Sequence, residues 1–118
     1  MDLVAIISSG KGTWGHVAHL ITDSAWDSIF LITNEFGKEN FSCPKPFTLI
    51  QIDENKGIED LKKDIKAQLE GKLKPFNEVA VNIVSGTGKE HMALLAALLE
   101  LGIGVKFIAV TKDGVKEL

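Results

Sequence analysis

Two short segments of the sequence carry glycine, serine, threonine, lysine and histidine, and each follows an apolar strand-like run. They read Ser9-Gly10-Lys11-Gly12-Thr13-Trp14-Gly15-His16 and Ser85-Gly86-Thr87-Gly88-Lys89-Glu90-His91. Glycines let a backbone turn sharply and approach a ligand closely, and the free N–H groups at the start of a following helix attract an anion. The two segments therefore predict a site for a phosphate or another small anion.

We predict that a ligand contacts both segments, with Gly10, Gly12, Gly86 and Gly88 allowing a close approach and with Lys11 and Lys89 supplying positive charge. The chain contains no arginine, so a phosphate has to be held by backbone N–H groups and by lysine point charges. This pattern requires no cofactor, although it is compatible with a bound nucleotide.

The same segments contain three candidates for catalysis, Lys89, His91 and His16. A histidine near a phosphodiester can act as a general acid or base, while a lysine stabilises the developing negative charge. A histidine in the first turn of a helix can equally pack or hydrogen-bond locally, so the sequence leaves open whether the protein is an enzyme. The spacing of the histidines predicts no metal site.

Two other interpretations fit parts of these segments. Thr87 and Glu90 have the spacing of a capping box, and glycines alone can form tight corners between a strand and a helix. The glycines of residues 10–15 also fit the dinucleotide-binding fingerprint, with Glu35 twenty residues further on as a ribose-binding acid. Neither segment is a Walker loop, because neither lysine is followed by serine or threonine.

Apolar runs predict five strands that must position these segments, and helical patterns lie between them. The strands cover residues 3–8, 28–33, 47–52, 79–84 and 105–110, and the helices about 13–22, 58–69 and 89–101. This order predicts an α/β fold, a single Rossmann-like three-layer α/β/α domain over residues 1–118. Its mostly parallel five-stranded sheet has the order 3-2-1-4-5, which places the two segments side by side at the carboxyl ends of strands 1 and 4.

Two elements of this prediction stay open. Residues 34–46 predict a loop without a helix, because Gly37, Pro44 and Pro46 interrupt it, and the direction of strand 3 is therefore undecided. The helix over 89–101 is apolar on all sides, which predicts a homodimer formed through it. Alternatively, residues 114–118 or a neighbouring helix cover its outer face.

Composition excludes several kinds of partner. The 118 residues carry a net charge of -3, which argues against binding to duplex nucleic acid. The longest apolar run, 92–99, is much shorter than the roughly 18 residues of a membrane span, so no membrane partner is predicted. The single Cys43 and the lack of a signal-like start suggest the reducing cytoplasm.

The stretch from Val81 to Leu95 resembles the second signature of the CRISPR-associated Rossmann-fold (CARF) domains. That signature has an asparagine, two apolar or small residues, Gly-Gly-Thr-Lys, and then a methionine and an apolar helix. Here Ser85 replaces the first glycine and Gly88 is inserted before Lys89. The segments 14–17 and 26–34 also resemble the amino-terminal half of that superfamily.

The resemblance implies a dimeric sensor that holds a cyclic oligoadenylate or a related nucleotide, with Ser9, Gly10, Lys11 and Thr13 and with Ser85, Gly86, Thr87 and Lys89 as its ligand contacts. It also admits a metal-independent phosphodiesterase that degrades the bound nucleotide, or an archaeal offshoot with another ligand. Two further alternatives remain. One is binding of NAD or FAD, and the other is a scaffold subunit whose two loops only connect a strand to a helix and bind no ligand.

Overall fold

The computed structural model describes every residue from 1 to 118. The strands are β1 (Asp2–Ile7), β2 (Ile29–Thr33), β3 (Thr48–Gln51), β4 (Glu78–Asn82), β5 (Gly104–Thr111) and β6 (Gly114–Glu117). The helices are α1 (Trp14–Asp23), α2 (Glu35–Asn40), α3 (Ile58–Leu69) and α4 (Gly88–Glu100), and a 3-10 turn covers Lys11–Thr13.

One sheet contains all six strands in the order β3-β2-β1-β4-β5-β6. The first five strands are parallel to their neighbours, and β6 runs antiparallel to β5. The predicted Rossmann-like α/β fold and the predicted order of its five strands are therefore confirmed, and a sixth strand is added at one edge.

The central strand β1 is buried on both faces because its alternate side chains enter two separate cores. Leu3, Ala5 and Ile7 pack on the α1 side, whereas Val4 and Ile6 pack on the side of α3 and α4. All five of these side chains are buried. Such an unbroken apolar run is typical of a parallel strand covered by helices on both sides.

The loop predicted over 34–46 is wrong in its first half, where the chain forms α2. The Asn34 side chain accepts a hydrogen bond of 2.9 Å from the Gly37 N–H and begins this helix. A Cβ on Gly37 would lie 1.9 Å from Thr33 Oγ1, so this glycine permits close packing of α2 on β2. The two prolines follow the helix, and β3 is parallel to β2.

The carboxyl-terminal segment does not cover α4, as one alternative proposed, but forms β6. A tight turn connects it to β5, with Gly114 at φ 100° and with the Thr111 hydroxyl donating to the Gly114 carbonyl over 2.9 Å. The outer face of α4 therefore stays exposed, with Met92 at 64% and Leu99 at 73% of their maximal exposure. No helix of the structure is long and apolar enough to cross a membrane.

Candidate functional site

The loops after β1 and β4 contact each other where the strand order changes direction, between these two strands. The Gly86 N–H donates to the Ser9 carbonyl over 3.2 Å, and the Ser85 hydroxyl donates to the same carbonyl over 3.1 Å. The Ser8 N–H donates in turn to Ser85 Oγ over 3.2 Å. We call this contact, formed by Ser8, Ser9, Ser85, Gly86 and Glu90, the loop junction.

Glu90 ties the loop junction to the start of α4. Its Oε1 atom accepts from the Ser8 hydroxyl over 2.7 Å and from the Thr87 N–H over 2.8 Å. The Glu90 N–H donates to Thr87 Oγ1 over 3.2 Å, which completes the capping box that the sequence indicated. The box thus serves two purposes, since its glutamate also bonds across to the end of β1.

Gly86 fits the loop junction only as glycine. Its φ of 103° lies in the region that other residues avoid, and a Cβ there would lie 2.8 Å from Ile6 Cγ2. Gly88 has no such constraint, because nothing lies within 4 Å of a Cβ built on it. The first of these two glycines is therefore required by the local backbone, and the second leaves open space beside it.

Backbone N–H groups without an acceptor lie in both loops of the junction. The N–H groups of Lys11 and Gly12 and those of Gly88 and Lys89 have no acceptor within the protein. The second pair belongs to the positive end of the α4 dipole, which attracts anions. The two loops thus offer unpaired N–H donors at one edge of the sheet, as phosphate binding requires.

Both predicted phosphate-binding lysines make contacts with other parts of the chain. The Lys89 ammonium donates to the carbonyls of Glu54 and Lys56, at 2.6 and 2.8 Å. The Lys11 ammonium lies 5.8 Å from the ring centroids of both Trp14 and Phe36. The Lys89 ammonium would have to leave these carbonyls to contact a ligand. The flexible side chain of lysine permits such a change of conformation.

The two candidate histidines lie in different surroundings and share no partner. His16 Nε2 accepts from the Val110 N–H over 3.2 Å and lies 3.2 Å from Asn82 Nδ2, so its proton is on Nδ1. Burial lowers the pKa of His16 below its ordinary value, and the nearby His19 adds to this effect. His91 Nε2 lies 3.0 Å from the Ser85 carbonyl, to which it can only donate. A catalytic role of either histidine stays a prediction.

The larger cavities of the chain do not enclose the loop junction. One of about 620 Å³ lies at the opposite edge of the sheet and is lined by Asp2, Asp27 and Glu78, among others. A groove of about 380 Å³ runs along α4 from Gly88 to Leu99 and is lined almost entirely by apolar atoms. A ligand at the paired loops of one chain would therefore bind to an open surface.

The sequence analysis gave no role to the side chains of Ser8 and Asn82, which hold the elements of the site together. The Ser8 carbonyl accepts from the Trp14 indole over 3.1 Å, and Asn82 Nδ2 donates to the Ile108 carbonyl over 2.8 Å. Both are buried polar residues at the ends of otherwise apolar strands. That position was the available signal, since a buried polar side chain needs a partner.

These features define a Rossmann-like α/β domain with paired loops at the point where the strand order reverses. The fold is similar to that of Can2 from Sulfobacillus thermosulfidooxidans, solved in complex with cyclic tetra-adenylate, with a TM-score of 0.66 and 12% sequence identity. The likeness covers 100% of this chain and 35% of Can2 and shows a shared fold. No family model matches the sequence. None of the curated proteins matches it either.

Proposed function

We propose that this chain is a nucleotide-sensing domain whose two loops bind the phosphates of a cyclic oligoadenylate. The observation that carries the proposal is that both loops of the junction have N–H groups without an acceptor, those of Lys11 and Gly12 in one loop and those of Gly88 and Lys89 in the other. The shared fold with Can2, which was solved with cyclic tetra-adenylate, supports this ligand class. The net charge of -3 agrees with a small ligand better than with duplex nucleic acid.

Calorimetric titration with cyclic tetra-adenylate tests this proposal, with NAD and mononucleotides as competing ligands. We expect binding that Lys11→Ala and Lys89→Ala each weaken by about tenfold to a hundredfold, because a charge-assisted phosphate contact contributes about 1.5–3 kcal/mol. Lys72→Ala is the matched control, because Lys72 lines the cavity at the opposite edge. Folded protein that binds none of these nucleotides would contradict the proposal, and tight binding of NAD alone would favour a dinucleotide site.

We further propose that the functional unit is a homodimer formed through α4. Met92, Leu95 and Leu99 form an apolar stripe on the side of this helix that no other element covers. Helix α4 begins directly after the loop that follows β4. Packing of two such helices would therefore bring the loops of two chains close together. An open surface in one chain would then become one side of an enclosed site.

Sedimentation measurements test the dimer. We expect Met92→Glu and Leu99→Glu to yield monomers, because each places an unpaired charge in the apolar interface. Ile58→Glu is the matched control, since Ile58 is an exposed apolar residue at the start of α3 and is 41% exposed. A wild-type protein that stays monomeric at about micromolar concentration would refute this part of the proposal.

A metal-independent phosphodiesterase is the second candidate function, and the geometry of His91 favours it. The Ser85 carbonyl orients the ring through Nε2, and Nδ1 has no partner within the chain. An oriented imidazole with one free nitrogen is the arrangement that a general base needs. Incubation of labelled cyclic tetra-adenylate with EDTA tests this function, and linear products that disappear in His91→Ala would support it.

A further inference from the structure

The side chain of Lys89 connects the start of α4 to the segment between β3 and α3. Its ammonium donates to the carbonyls of Glu54 and Lys56, over 2.6 and 2.8 Å. Both carbonyls belong to residues 53–57, all of which are exposed, and we call this segment the β3–α3 loop. One side chain therefore ties the β3–α3 loop to the helix that begins at the candidate site.

The β3–α3 loop has few other hydrogen bonds. Within it, the Lys56 N–H donates to the Asp53 carbonyl over 3.1 Å, and the Asn55 N–H donates to Asp53 Oδ1 over 3.0 Å. Beyond it, the Lys56 ammonium pairs with Asp64 of α3 over 2.7 Å. The two bonds from Lys89 are the only hydrogen bonds between the loop and α4. Their loss would leave the loop bonded only within itself and to α3.

A phosphate at the proposed site would compete with the two carbonyls for the Lys89 ammonium. The N–H of Lys89 has no acceptor and is part of that site, so a phosphate bound there lies beside the residue whose side chain holds the loop. Backbone carbonyls are neutral acceptors, whereas a phosphate carries a full negative charge and attracts an ammonium more strongly. Binding of the phosphate therefore draws the ammonium away from the β3–α3 loop.

We infer that Lys89 is a ligand-operated switch, whose ammonium moves from the two carbonyls to a bound phosphate and thereby releases the β3–α3 loop. The inference rests on the proposed nucleotide site and deepens it, because it names the part of the chain that changes when the site is filled. The ammonium has two alternative sets of acceptors, and only one of them depends on the ligand. The balance between a held and a released loop therefore follows the occupancy of the site.

Limited digestion with trypsin tests this inference, because trypsin cuts after lysine and the Lys56–Gly57 bond contains one of the two carbonyls. We expect saturating cyclic tetra-adenylate to speed cleavage of this bond in the wild-type protein by about fivefold, since cleavage follows the population of the open loop and two hydrogen bonds that oppose opening are lost. The Lys72–Leu73 bond, at the opposite edge of the sheet, is the internal reference, and its rate should not rise. Mass spectrometry of the fragments distinguishes the two bonds.

Lys89→Met removes the ammonium and keeps an apolar side chain of similar length. We expect this variant to raise cleavage at Lys56–Gly57 by about fivefold without any ligand, and the nucleotide to add no further increase. Lys45→Met is the matched control, because the Lys45 ammonium also donates to a backbone carbonyl, that of Ser24 over 2.6 Å, but joins other segments of the chain. The NMR resonances of the two carbonyl carbons in the β3–α3 loop give a second measurement. They should shift in the same direction in unliganded Lys89→Met and in the wild-type protein with nucleotide.

The outcomes separate the switch from the proposed function. Wild-type protein that binds cyclic tetra-adenylate while cleavage at Lys56–Gly57 stays constant or slows overturns the switch and leaves the nucleotide site standing. An unchanged rate in unliganded, folded Lys89→Met also overturns it, because the two bonds would then not hold the loop. Wild-type protein that binds no nucleotide overturns the proposed site, and release of the loop by a ligand falls with it.

Discussion

The imidazole of His16 connects α1 to β4 and β5, and it accepts hydrogen bonds only while its Nε2 atom is unprotonated. The Val110 N–H donates to this nitrogen, and Asn82 lies beside it. Partial burial and the neighbouring His19 favour the neutral ring, which lowers the pKa of His16 in the folded protein. Protonation would therefore remove a contact between a helix and the sheet that it covers.

This lowered pKa predicts a stability that depends on pH. Between the folded and the unfolded pKa of His16 the unfolded chain binds more protons, so the free energy of unfolding falls as the pH falls below about 6.5. We expect His16→Gln, which keeps an acceptor but does not titrate, to show a smaller loss between about pH 7.5 and 5.5. Urea unfolding at several pH values measures both proteins. The other two histidines are present in each, and equal slopes would contradict the role of His16.

The sequence identified the residue types of the site better than their partners. Thr87 and Glu90 were recognisable as a capping box because both lie within one turn of helix. The bond from Ser8 to Glu90 was not, since 82 residues separate them and only the pairing of β1 with β4 brings them together. The contacts of Lys11 and Lys89 depend on side-chain conformation, which no sequence pattern encodes.

At the scale of elements, α2 shows how close packing can override an unfavourable local sequence. Gly37 lies inside this helix, although glycine disfavours helices by about 1 kcal/mol relative to alanine. Its missing side chain leaves room for Thr33 and for the Ile7 carbonyl, which would lie 1.9 and 2.8 Å from a Cβ. The residue that suggested a loop is therefore the one that allows a short crossover between β2 and β3.

Two glycine-to-alanine substitutions test this explanation. We expect Gly37→Ala to destabilise the protein by about 1–3 kcal/mol, because the added methyl group overpacks the contact between α2 and β2. Gly15→Ala in α1 is the control, since nothing lies within 4 Å of its Cβ. We expect that control to be neutral or to stabilise by up to about 1 kcal/mol. Denaturant unfolding compares the two, and equal stabilities would refute the packing argument.

The sequence predicted the parallel strands of the sheet but not its sixth strand or the direction of β3. Five apolar runs predicted five strands in the observed order, and β1, β2 and β4 stand out most clearly because they are buried on both faces. The strand β6 escaped notice because its four residues are mostly polar or charged and pair on one side only. The direction of β3 was decided by α2, the element that the sequence concealed.

At the scale of the whole molecule, one sheet separates two cores that share the strand β1. The core on the side of α3 and α4 contains Leu94, and the core on the side of α1 contains Trp14. Both cores take side chains from β1, so loss of packing on one face removes support from the other. Small domains with this arrangement usually unfold in a single cooperative step.

Substitutions on one face should therefore be detected by a probe on the other. We expect Leu94→Ala to destabilise the protein by about 2–5 kcal/mol, because this leucine is fully buried. The fluorescence of Trp14 and Trp26, which both lie on the α1 side, and the far-ultraviolet circular dichroism should report the same loss. Leu99→Ala, on the same helix but 73% exposed, should change the stability of the monomer by about 0.5 kcal/mol or less. Transitions that differ between the two probes would show that the faces unfold separately.

The two borders of the sheet limit how copies of the chain can assemble. Its outermost strands, β3 and β6, have four residues each, and β6 carries Lys116 and Glu117. Pro46 lies just before β3 and has no N–H to offer another strand. Short, charged borders of this kind discourage the strand-by-strand stacking from which fibrils grow. Crowded or partly purified samples of this protein should therefore resist fibril formation, even though the outer face of α4 exposes apolar side chains.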